Sequence, residues 1–177
     1  NGDSGPLVAS FDMLENYFIT QGREWERYAW IKARPLCGAP QEAPLGGARG
    51  ADLTTLARPF IFRKYLDYGA INAMRELHAQ IRREVARKDM ANNIKLGPGG
   101  IREIEFIAQV FQLIRGGRDP ALQARPTLAV LALLAERKLL PAETEAELHA
   151  AYVFLRRLEH RLQYADDQQT HMLPGDP

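Results

Sequence analysis

Lys32 and Arg34 of this 177-residue chain are two cations that could meet a small anion together only under one condition. They close the run Trp25-Glu-Arg-Tyr-Ala-Trp-Ile-Lys-Ala-Arg34, which packs three aromatics and four charges into ten residues. On a continuous helix they would point roughly 200° apart, so both reach one phosphate only if the helix ends between them. Pro35 supplies such a stop. The competing reading is a half-buried helix with aromatics inside and charges at its rim. A second charged set, Arg102, Glu103 and Glu105, follows the glycine-rich turn of Lys95-Leu-Gly-Pro-Gly-Gly-Ile-Arg-Glu-Ile-Glu-Phe106. A glycine-rich turn before a helix can cradle phosphate. The lysine-serine/threonine spacing of a P-loop is absent, however, and acidic side chains in a first turn repel anions. A capped core helix explains the same residues.

Other chemistry finds little support. No serine–histidine–acid set or cysteine–histidine pair is spaced for nucleophilic catalysis, and no Asp-x-Asp falls on a strand to hold Mg²⁺. No catalytic residue and no metal ligand can be named. The single Cys37 excludes an internal disulfide, and His78, His149, His160 and His171 lack metal-ligand spacing. A net charge of +1 gives no bulk electrostatic case for nucleic acid or an anionic membrane. Basic clusters at Arg82-Arg83 and Arg156-Arg157 are interrupted by Glu84 and Glu159, which reads as solvated helix faces. No apolar run reaches the ~18 residues of a membrane span.

The elements that carry these residues read as helices. Ser10 caps one running to about Gln21, with Gly22 as its stop, and a second runs from Arg23 to Arg34. Residues 38–50 are rich in Pro, Gly and Ala and read as a linker or mobile loop. Asp52 caps the next helix, which carries Leu53, Leu56, Phe60 and Ile61, and an amphipathic stretch follows through Ile71, Met74, Leu77, His78 and Ile81 to Val85. From Ile101, the residues Ile104, Ala108, Phe111 and Leu113 recur near the helical period until Gly116-Gly117. Arg102, Glu105, Gln109 and Gln112 form one narrow polar stripe on that buried helix, so the stripe faces something specific. Thr127 to Lys138 is apolar, and Pro141 opens a last helix with Leu148, Tyr152, Leu155, Leu158 and Leu162. With 46% hydrophobic and 25% charged residues, the expected fold is an all-α helical bundle with a real core. Strand signals are confined to Leu7-Val8-Ala9. Both ends, Asn1-Gly-Asp-Ser-Gly-Pro6 and Leu173-Pro-Gly-Asp-Pro177, read as interior turn segments of something longer.

Five segments together resemble one family. They are Gly2-Asp-Ser-Gly-Pro-Leu-Val-Ala-Ser-Phe11, Gly22-Arg-Glu-Trp-Glu-Arg-Tyr-Ala-Trp-Ile-Lys-Ala-Arg34, Ile94–Gln109, Phe111-Gln-Leu-Ile-Arg-Gly-Gly-Arg118 and Phe154–Gln163. The resemblance is to the bacterial bifunctional glutamine synthetase adenylyltransferase/adenylyl-removing enzymes. It implies two homologous halves, each a nucleotidyltransferase domain followed by a helical domain. One half removes AMP from glutamine synthetase by phosphorolysis and the other attaches it from ATP, within nitrogen metabolism. Ile101–Phe106 resembles the removing version, since the other copy carries Thr-Asp where Arg102 and Glu103 stand. Residues 1–37 are then the tail of the nucleotidyltransferase domain, 38–51 a linker and 52–177 the helical bundle. The Mg²⁺ ligands would lie upstream, leaving this piece catalytically incomplete. The resemblance further implies phosphate contact by Lys32 and Arg34, and a domain lock formed by Arg102, Glu103 and Glu105. It also implies glutamine synthetase and the PII signal protein as partners, and a cytoplasmic setting without nucleic acid or membrane. The rival expectation is a stand-alone helical interaction module without catalysis.

Overall fold

A computed structural model describes residues 8–34, 47–62, 90, 92–166 and 169–174, with single helical positions at 72, 76, 79 and 83; for 47–52 it describes the backbone alone. Cys37, residues 38–46 of the expected linker, and the stretch expected from Ile71 to Val85 other than those single positions lie outside the described residues. Six α-helices and one 3₁₀ turn are present among the described residues, with no strand beyond an isolated bridge between Asn93 and Met172.

Helix α1 (Phe11–Thr20) starts where expected, because the Ser10 hydroxyl accepts the Met13 N–H at 3.2 Å. Gly22 follows it for a steric reason: a Cβ there would stand 2.4 Å from Phe60 Cε2. That space lets Phe60 stack on Phe18, ring centroids 4.4 Å apart and planes 7° from parallel. Helix α2 (Glu24–Trp30) ends four residues before the expected Arg34. Lys32 and Ala33 donate back three residues, to Ala29 and Trp30, so the last turn tightens before Pro35. Helix α3 (Gly47–Ile61) opens inside the stretch expected as linker, and Asp52 lies within it rather than at its cap. Ala48, Arg49 and Ala51 are good helix formers, and they carry the helix upstream despite two glycines.

Helix α4 (Ile101–Arg115) has the expected start, with Gly100 as N-cap and Gly99 at φ +71°. After a 3₁₀ turn (Pro120–Gln123), helix α5 spans Thr127–Glu136. It stops short of the expected Lys138 because that residue turns left-handed at φ 56°, letting Leu139 donate to Leu134 at 2.9 Å. Helix α6 (Ala142–Asp166) follows Pro141 as expected.

Two apolar clusters share α4. Phe18, Ile31, Ala57, Phe60, Ile61 and Leu113 join α1, α2 and α3 to one side of it. Ile104, Ala108, Leu122, Val130, Leu131 and Leu134 join the 3₁₀ turn, α5 and α6 to the other. Phe111, expected in the deepest layer, is only half-buried against the second cluster. Gln109 and Gln112 are buried instead, and the Gln112 amide donates to the Leu122 and Ala124 carbonyls, both at 2.7 Å.

Candidate functional site

The glycine-rich turn is closed on itself. Asn93 Oδ1 accepts the N–H groups of Lys95 and Leu96 at 3.0 and 2.8 Å. The first N–H groups of α4, those of Ile101 and Arg102, donate to the carbonyls of Ile94 and Lys95 at 3.1 and 3.0 Å. A Cβ on Gly100 would lie 2.8 Å from the Gly97 oxygen and 2.9 Å from those of Ile94 and Lys95. Glycine is therefore required by the tightness of the turn. With its donors taken by backbone carbonyls, this helix start offers no phosphate cradle.

The charged triplet divides its work. Arg102 is exposed, and Glu103 accepts the Gly99 N–H at 2.9 Å. Glu105 turns inward and accepts from the Tyr152 hydroxyl at 3.0 Å and Arg156 Nη2 at 2.8 Å. Arg156 also holds Glu159 at 2.7 Å and lies over the Tyr152 ring, 5.2 Å from its centroid. Glu159 is only 4% exposed. His171 Nδ1 stands 3.2 Å from it, and Lys95 Nζ stands 3.5 Å from both Glu159 and His171 Nε2. A chain of charge thus ties α4, α6, the glycine turn and the 170–173 segment together. Arg156 and Glu159 are therefore not the solvated face expected from their sequence, because they are drawn into this chain by Glu105, Tyr152 and His171. Their i, i+3 spacing, with Tyr152 four residues before Arg156, was the available signal.

Burial pushes the Glu159 carboxyl up, but the Arg156 hydrogen bond and the charges of Arg156, Lys95 and His171 outweigh it and leave it below the usual range. A carboxyl lowered in the folded state adds stability above its unfolded pKa, and that stability is lost as pH falls through the folded value. Glu159→Gln is therefore expected to cost roughly 1–3 kcal/mol near neutral pH. The gap to wild type should begin to close below about pH 4.3. Thermal melts of both proteins between pH 7 and 3 check this, and a gap that widens on acidification contradicts it.

Lys32 and Arg34 have different surroundings. Lys32 Nζ donates to the Arg125 carbonyl and to Thr127 Oγ1, 3.2 Å away, joining the end of α2 to the start of α5. Burial lowers the Lys32 pKa, with Glu105 pulling it up and Arg156 adding to the fall. Arg34 instead lines a cavity of about 310 Å³ with Arg58 and Arg125. Burial also raises the Tyr28 phenol well above its usual range; that ring lies 5.5 Å from Phe106. Sequence reasoning missed Arg27 altogether. It is 1% exposed and donates to the Phe60 and Ile61 carbonyls, both at 2.9 Å, so it caps the end of α3. Its Glu24 partner, three residues before it, is one a rim arginine would also have, and the carbonyls that set it apart are 33 and 34 residues away.

Two family models match. That described as GlnD PII-uridylyltransferase covers residues 75–177, and that described as glutamate-ammonia ligase adenylyltransferase covers residues 1–44. Among curated proteins, the chain is similar to bifunctional glutamine synthetase adenylyltransferase/adenylyl-removing enzymes. It is 72% identical over 176 residues to that of Aromatoleum aromaticum and 66% identical over 176 residues to that of Chromobacterium violaceum. With that of Nitrosomonas europaea it shares 60% over 178 residues. These matches cover 99%, 99% and 100% of this chain but only 18%, 19% and 18% of the relatives. The chain thus spans less than a fifth of the curated relatives' length. Over its whole length the chain is similar to a segment of the bifunctional glutamine synthetase adenylyltransferase/adenylyl-removing enzymes, and by residues 75–177 it belongs to the family described as GlnD PII-uridylyltransferase.

Proposed function

We propose that this chain is the junction between the catalytic and helical parts of the adenylyl-removing half of an enzyme that adds AMP to glutamine synthetase and removes it. The observation that carries this reading is the 72% identity, sustained over 99% of the chain, with a protein of that name. The family model over residues 75–177 bears a uridylyltransferase's description, so the helical part alone does not separate the two activities. Residues 1–44 favour the adenylyl enzyme, as does the Arg102-Glu103 version of the α4 motif.

On this reading inorganic phosphate attacks the phosphorus of the AMP–tyrosine ester. The P–O bond to tyrosine breaks, the phenolate takes a proton, and ADP leaves. Residues 1–37 end the nucleotidyltransferase domain, 38–51, whose last five residues already open α3, link it onward and 52–177 form the helical domain. The described residues do not fit a Mg²⁺ site, since no three His, Cys, Asp or Glu side chains among them group to hold a metal. The reading places the ligands of that ion, and those of ATP, upstream. Lys32 has two of its three donors engaged and one left for phosphate, while Arg34 offers its guanidinium from the cavity wall. Glu105, held by Tyr152 and Arg156, stiffens the face of the bundle to which Arg102 and Glu103 add their contacts with the catalytic domain. The PII protein is the proposed regulatory partner and the cytoplasm the proposed setting. No helix among the described residues is long and apolar enough to cross a membrane.

Lys32→Ala in the longer enzyme tests the assignment. A lost charge-assisted contact is worth roughly 1.5–3 kcal/mol, so adenylyl removal should slow about tenfold to a hundredfold. Addition, run by the other half, should change little. If Lys32 only pins α2 to α5, the melting temperature falls and activity recovers when assayed cold. Wild-type removal at equal folded concentration eliminates Lys32 from the site.

A further inference from the structure

The cavity beside Arg34 carries a ligand signature that reaches beyond Arg34 itself. It lies between the end of α2, the second half of α3 and the segment after the 3₁₀ turn. Trp30, Ile31, Ala57 and Phe62 give it apolar and aromatic walls. Arg34, Arg58 and Arg125 line the same space, and no carboxylate among the described residues does. None of the three arginine side chains makes an ion pair or hydrogen bond among the described residues. Three like charges gathered on apolar walls repel one another, and the low-dielectric walls focus their field into the cavity. Such an arrangement is relieved by an anion, and planar guanidinium forks match phosphate oxygens. The volume, about 310 Å³, sits at the lower end of small-ligand sites. Phe62 is held at the wall by a close approach to Gly116, where a Cβ would stand 2.7 Å from its ring.

We propose that this cavity binds a nucleoside phosphate, its phosphates on Arg34, Arg58 and Arg125 and its base against Trp30 and Phe62. The proposal rests on the phosphate contact assigned above to Arg34 and extends it to two residues that no family motif singles out. Calorimetric titration of the 177-residue chain with ADP, AMP, inorganic phosphate and adenosine is the test. ADP should bind, AMP more weakly, and adenosine not measurably, with affinity falling as salt rises. Arg58→Gln and Arg125→Gln should each weaken ADP binding roughly tenfold or more. Arg157→Gln, on the exposed side of α6, should leave it unchanged. Circular dichroism and melting curves should match wild type for all three variants, since these arginines are exposed. Failure of ADP to bind, or binding indifferent to both cavity variants, overturns the proposal. Inorganic phosphate binding as tightly as ADP overturns the nucleoside part and leaves a bare anion site. Absent ADP binding together with the expected Lys32→Ala loss of removal would sink the cavity alone. Intact ADP binding with Lys32→Ala at the wild-type rate would sink the Lys32 assignment alone.

Discussion

Arg27→Met should lower the stability of this chain by about 3–5 kcal/mol, the range for removing one partner from a buried charge network. The guanidinium is 1% exposed and spends its donors on the last carbonyls of α3, at 2.9 Å to Phe60 and 2.9 Å to Ile61, with Glu24 at 2.5 Å. The last carbonyls of a helix have no intrahelical donor, so this turn depends on Arg27 for capping. Methionine fills similar volume but leaves two buried carbonyls without a donor, each costing about 1–3 kcal/mol. Arg27→Lys should recover only part of the loss, because an ammonium cannot reproduce the planar fork. Arg23→Met, at an exposed cap position, should shift stability by less than about 0.5 kcal/mol. Urea unfolding of the three variants provides the comparison. Equal midpoints for Arg27→Met and Arg23→Met would mean that α3 is capped some other way.

Leu131→Ala should cost a similar ~2–5 kcal/mol. Leu131 is 0% exposed in the second cluster, which also holds Ile104 and Ala108 of α4 and has the half-buried Leu148, Tyr152 and Leu155 of α6 packed against it. Several elements meet in this cluster, so collapse around the missing methyls is restricted and most of the cavity cost remains. Leu133, two residues on, turns to a half-buried position, and Leu133→Ala should cost clearly less. Phe111→Ala, which the sequence pattern puts in the deepest layer, should also fall below Leu131→Ala, because part of that ring stays in water. Melting shifts ranked in the opposite order would show that α5 does not carry the core.

The sequence by itself determined the elements that depend on near neighbours. Ser10 caps α1 through a bond three residues away, and Gly99-Gly100 makes a turn that needs a positive φ. Ile101 begins a helix at the residue where the apolar period starts, and Pro141 precedes the last one. These are short-range preferences, read from side-chain shape and backbone freedom within one turn. The family motifs were legible for the same reason, being contiguous runs. Helix ends were less so: α2 stops early where the chain tightens before Pro35, and α5 stops where Lys138 turns left-handed. Tertiary structure alone decided what the polar groups do. Glu105 meets Tyr152 and Arg156 across 47 and 51 residues, and Lys32 meets Thr127 across 95. Arg27, Arg58 and Arg125 look alike in sequence, yet one is a buried cap and two face a cavity. A charged side chain reaches only a few ångströms, and its partners come within reach only once α1 to α6 have packed.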